Sequence, residues 1–145
     1  MKVRTSIIAA GAAVLLGTGA LVLPAVASAN SATHTLKFTA VQKGTVTFSR
    51  AAQGSAATNV NAANKTVGFD VLYFVFTPPS SIAANITVDT NGGFLYGTFD
   101  VNTKTGAVTN GKVTGGTGAF KGATGTIKVK TISKTKHAVT ITYSG

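Results

Sequence analysis

An eight-stranded antiparallel β-barrel, an all-β fold, is what this chain predicts. Beyond residue 29 apolar residues recur at every second position, and no segment shows the 3.6-residue period of a helix. Thr, Val and Gly dominate, and most of the alternating runs are joined by connections of hairpin length. Closing such a sheet into a cylinder removes the exposed edge strands that invite aggregation. An open sandwich is the alternative architecture.

The first 29 residues read as a helical signal peptide ahead of the barrel. Lys2 and Arg4 form a basic start, Ile7 to Val22 is apolar, Pro24 breaks the run, and Ala27-Ser28-Ala29 offers small residues for cleavage. Cleavage after Ala29 makes the protein secreted. No later segment is long and apolar enough to hold it in a membrane as a helix. The domain division is therefore 1–29 for the signal and 30–145 for a single barrel domain. Removing 29 of 145 residues leaves 116, enough for one hydrophobic core, and with no Cys that core carries the stability without disulfides.

Strands are expected at 34–41, 44–49, 66–76, 82–90, 93–101, 107–114, 124–132 and 137–143. Asn91-Gly92-Gly93 suits a hairpin turn, because these residue types tolerate positive φ. Asn102 to Gly106 is a second turn. Pro78-Pro79 cannot donate ladder hydrogen bonds and marks the loop after the third strand. Residues 50–65, rich in Ala, Asn and Ser, read as one long irregular loop. The third strand is apolar on both sides, with Phe69, Val71, Tyr73 and Val75 opposite Leu72, Phe74 and Phe76. Such a strand either lines an apolar cavity while packing outward on something or sits at an oligomer interface. A barrel has no second layer to cover its outside, which favours the interface, in a homo-oligomer such as a dimer or a trimer.

The glycine-rich stretch Gly115-Gly-Thr-Gly-Ala-Phe-Lys-Gly-Ala-Thr-Gly125 runs directly into the alternating Thr126-Ile-Lys-Val-Lys130. A nucleotide-binding glycine loop needs a helix N-terminus at that point, and a strand follows instead. The glycines rather permit a tight corner, with Phe120 folding inward to plug one barrel end. From Asn110 to Val129 the sequence resembles the corner of the allene oxide cyclase/dirigent barrel superfamily, in which Gly-Gly-[Thr/Ser]-Gly-x-Phe separates two strands. Gly68-Phe-Asp-Val71, Gly93-Phe-Leu-Tyr-Gly-Thr-Phe-Asp-Val101 and Ala138-Val-Thr-Ile-Thr-Tyr143 are similar to small exported bacterial members. The resemblance covers about residues 66–143. It implies an eight-stranded barrel around a largely apolar cavity, commonly assembled into dimers or trimers.

Charge and chemistry narrow the rest. Without Lys2 and Arg4, eleven basic residues face only Asp70, Asp89 and Asp100, a formal charge of +8 with no Glu. Such a basic protein attracts polyanions. The lysines are scattered singly, with no recognition helix or aromatic-basic motif, so an anionic cell-envelope polymer fits better than nucleic acid. His34 and His137 open neighbouring antiparallel strands and so stand roughly 20 Å apart, and without Cys or Glu no metal site is expected. No cofactor is expected either.

The candidate ligand-binding residues are Arg50, Asp70, Tyr73, Asp89 and Tyr143. With the strands counted strictly up and down, Arg50, Asp70 and Asp89 fall near one mouth together with His34 and Tyr143, and Asp100 at the other. Asp70, inside Val67 to Phe76, needs a partner or a raised pKa. It is the sole candidate catalytic residue, as an acid or base, unless it bonds the backbone of a corner. The carboxylate inventory is poor, so the expected function is non-catalytic: a secreted barrel that binds a small hydrophobic molecule or serves as an envelope-associated module. The alternative is a cyclase, isomerase or stereocontrolling dirigent-type protein acting on a reactive apolar intermediate, as the resemblance implies.

Overall fold

The computed structural model describes residues 32–77 and 81–145; the signal segment and the Pro78-Pro79 loop lie outside the described residues. Eight antiparallel strands, each hydrogen-bonded to its neighbours in sequence, close into a barrel in the order β1 to β8. They are β1 (Thr33–Ser49), β2 (Ala52–Val60), β3 (Thr66–Thr77), β4 (Ser81–Thr90), β5 (Gly93–Asn102), β6 (Val108–Gly116), β7 (Thr124–Ser133) and β8 (Lys136–Ser144).

The strand count agrees with the sequence, but the first quarter is built differently. The runs expected at 34–41 and 44–49 are one 17-residue strand. Its register on β2 slips between Gln42 and Gly44, which marks a β-bulge: one extra residue bends the strand without ending it. Ser55 Oγ donates to Gly44 O at 3.1 Å, and Gln42 Nε2 to Thr45 Oγ1 at 2.7 Å, on either side of the bulge. The first half of β1 then pairs with β8 and the second with β2. This is how a single strand closes the barrel.

Most of the segment expected as a loop, 50–65, is β2. Small residues lower its β propensity, yet they suit its place: Phe48 of β1 lies over Gly54, where a Cβ would stand 2.9 Å from the ring. Only residues 50–51, the β1–β2 turn, and 61–65 lie outside strands there, the second held by Asn61 Oδ1, which accepts from the backbone N–H of Ala63 and of Lys65.

The core is unevenly filled. Val88, Leu95 and Ile141 are fully buried toward the end where β4 meets β5, and Phe120 caps that end. Gly118 and Gly122, at φ 57° and 78°, turn the chain through a single 3-10 turn over Gly118–Phe120. A Cβ at Gly116 would stand 2.5 Å from the Cβ of Phe120, so the corner folds back on itself only because that position is bare. The Phe120 ring meets Tyr143 edge-on at 5.4 Å, and Tyr143 stacks on His34 at 5.4 Å. A strand, not a helix, follows Gly125, as the sequence predicts.

Candidate functional site

Toward the end formed by the β1–β2, β5–β6 and β7–β8 turns, the barrel is hollow. A cavity of about 200 Å³ opens there, beside Gly106 of the β5–β6 turn. Its wall is mostly apolar, with Leu72 and Phe74 from β3, Ile86 from β4, Phe99 from β5, and Val129 and Val139 from β7 and β8. The strand alternation explains this set: each is in phase with the buried residues of its own strand.

Asp70 lies where the packed half gives way to the hollow one. It pairs in register with Ala57 and Val88, lines the cavity, and is 2% exposed. Neither carboxylate oxygen has a hydrogen-bond partner, and neither side-chain atom of buried Asn59 has one. Burial pushes the Asp70 carboxyl up from 3.8 to about 6. The nearby Asn59 amide offsets part of that rise, although its geometry completes no hydrogen bond. Three strands round the barrel, His137 faces the same cavity, with Thr131 Oγ1 3.4 Å from its Nδ1. Burial lowers its pKa below the usual imidazole value, so the ring is neutral at neutral pH.

The other sequence candidates are dispersed. Arg50 is exposed in the β1–β2 turn, at the open end of the barrel. This corrects the expectation that it shares a rim with Asp89, His34 and Tyr143. An up-and-down barrel switches ends with each strand, and the uninterrupted β1 removes one switch before Arg50. Arg50 therefore joins the end of Asp100, whose Oδ2 accepts from Asn110 Nδ2 at 2.7 Å. Asp89 is exposed on the outside of β4, between Phe69 and Phe94 in register. Tyr73 points outward from β3, and Tyr143 belongs to the plug at the closed end. Of the five candidates, Asp70 alone lines the cavity.

The sequence alone does not single out Gln42 and His137 as cavity groups or Asn59 as the group beside Asp70. Asn59 fell in the expected loop, and Gln42 at an expected strand break. His137 carried a usable signal, since it is in phase with Val139, Ile141 and Tyr143. Among the described residues no group of three or more His, Asp or Glu side chains is placed to hold a metal ion.

The outer face of β3 is exposed and apolar. Val71 is 57% exposed, and Phe69, Tyr73 and Val75 share its side. Phe48 of β1, 63% exposed, packs on Tyr73 at 5.9 Å across β2, while Phe94 and Tyr96 of β5 extend the patch across β4.

No protein-family profile and no curated protein matches the chain. Among solved structures it is similar to one described as a pyocyanin demethylase, with a TM-score of 0.61 and 16% identity over 77% of this chain and 100% of that one. At that identity the likeness shows the fold: an eight-stranded antiparallel barrel.

Proposed function

We propose that the chain is an exported barrel of the allene oxide cyclase/dirigent type that binds a small, largely apolar molecule in its open half without transforming it. The observation that carries this reading is the hollow itself. Protein interiors are normally close-packed, and a void of this size with an apolar wall loses packing that an occupant restores. Among the described residues the barrel is capped by Phe120 at one end and hollow toward the other, which gives a ligand its way in. The superfamily assignment is supported by the corner motif, and export by the basic and apolar start of the sequence.

Calorimetry with 2-phenylethanol tests the reading. Binding is expected in the wild type, with a loss of tenfold or more in Ala57→Phe, where a ring projects into the cavity from a buried wall position. Equal affinity in the folded variant contradicts the proposal.

A second reading is favoured by one observation. Asp70 and His137 face one cavity from separate walls, and a carboxyl with a pKa of about 6 on one wall and a neutral imidazole on another suit proton transfer to a substrate held between them. The similar solved barrel is named for an enzymatic activity. On this reading the protein is a cyclase, an isomerase or a stereocontrolling protein, and Asp70→Asn loses turnover by orders of magnitude while staying folded.

We also propose that the outer patch of β3 joins two or more copies. An apolar surface extending over β1, β3 and β5 exceeds the scattered exposure ordinary for a monomer. Sedimentation is expected to show an oligomer for wild type and a monomer for Val71→Lys, a change on the solvent side of the wall. A wild-type monomer at micromolar concentration contradicts it.

A further inference from the structure

Asp70 is the one carboxylate on the cavity wall, and buried Asn59, which does not itself line the cavity, lies beside it. Asp70 Oδ1, Asp70 Oδ2 and Asn59 Oδ1 are three buried acceptors without partners. Among the residues that line the cavity there is no Lys or Arg to neutralise the carboxylate. A buried carboxylate in that position is costly unless something arrives to pair with it. Asn59 Nδ2 contributes the only unpaired buried donor there.

Resting on the ligand-binding reading above, we propose that the occupant is a small aryl- or alkylammonium compound, its cationic nitrogen seated on the Asp70 carboxylate and its apolar body against Phe74 and Phe99. A primary ammonium carries N–H donors and no acceptor, the complement of a carboxylate whose two oxygens have no partner. A bond of this kind, with both partners charged, is among the stronger hydrogen bonds. An anionic ligand meets only repulsion at Asp70. A neutral alcohol supplies one donor and leaves acceptors unmatched.

Size sets the body of the ligand. A cavity of about 150 Å³ lined by apolar side chains accommodates benzene. The 200 Å³ found here therefore admits one ring with a short chain. The positive charge of the surface does not forbid entry, because salt screens it over about 8 Å under physiological conditions. Gln42, Thr131 and neutral His137 add no cation of their own to the wall.

The test compares three probes of one shape by calorimetry at pH 7.5: 2-phenylethylamine, 2-phenylethanol and phenylacetate. The amine is expected to bind about 10- to 100-fold more tightly than the alcohol, the range set by a hydrogen bond to a charged group, and phenylacetate more weakly than either. Asp70→Asn is expected to abolish the advantage of the amine while keeping alcohol affinity within a few-fold. At pH 5 the amine is expected to weaken as Asp70 takes up a proton. His137 is the other titratable group on the cavity wall, and His137→Gln should leave that pH effect in place. An alcohol that binds wild type as tightly as the amine overturns the ammonium assignment and leaves the ligand-binding reading standing. Failure of all three probes to bind the folded protein overturns both.

Discussion

Replacing Asp70 with leucine is expected to stabilise the ligand-free protein by about 3 kcal/mol at pH 7.5, from the free-energy equivalent of its pKa shift. The carboxyl titrates at 3.8 when unperturbed and at about 6 in the fold. Ionising it is therefore harder in the native state than in the unfolded one. The contribution of this group to stability is most favourable below pH 3.8, falls as pH rises from about 4 to 6, and stays at its unfavourable limit above that. Urea denaturation at pH 4, 5, 6 and 7.5 should show the Asp70→Leu advantage growing across that interval and levelling above it. A variant less stable than wild type at pH 7.5 would mean that the carboxylate has a stabilising partner. A residue that costs stability and faces a cavity is one that a ligand can reward, which is the usual trade between stability and function.

Truncating the plug is the second large effect. Phe120→Ala is expected to cost about 3–5 kcal/mol, the range for removing a buried aromatic side chain. Phe120 is 5% exposed, meets Tyr143 edge-on, and closes the packed end over Val88, Leu95 and Ile141. The loss should appear as a lower urea midpoint with little change in the slope. A cost below 1 kcal/mol would show that the corner holds its shape through its backbone alone. That backbone is well tied: Ala119 N donates to Gly92 O at 2.8 Å and Thr117 N to Phe94 O at 2.8 Å. The tests of the cavity, the outer face and the ligand class therefore need this end intact.

What the sequence reveals, and what it conceals, divides along the barrel. From β3 to β8 alternation is strong and every turn but the last, Lys134-Thr135, carries Gly, Asn or Pro, so strand positions are readable to within about two residues. The corner is readable too, because glycines followed by alternation leave a strand as the only continuation. The beginning is not. A bulge at Gln42 to Gly44 looks in sequence like a turn, since Lys-Gly suits either. The run from Ala51 to Asn64 lacks large apolar residues because β2 borrows cover from Phe48 outside and faces a hollow inside. Composition signals a strand through what its side chains bury, and a strand beside a cavity buries little of its own.

The same blindness split the site. Asp70 stands out in sequence as a charge within an apolar run, whereas Asn59 is one of several Asn in an apparent loop. Their proximity depends on β2 pairing with β3, and β2 is the segment whose composition reads as a loop. Arg50 moved to the other end of the barrel for the same reason. Tyr73 shows a different limit: with both faces of β3 apolar, periodicity tells which residues share a side and not which side is inside.

The account depends on a carboxyl group enclosed in the barrel wall with no protein partner. Carbon-13 NMR of the Asp70 carboxyl across pH 3 to 9, in the ligand-free protein, measures that directly. A single titration with its midpoint near 6 is the predicted result, against 3.8 for an unperturbed aspartate. A midpoint at or below 3.8 would place the group in water or against a cation, and the ammonium-binding cavity would lose its foundation.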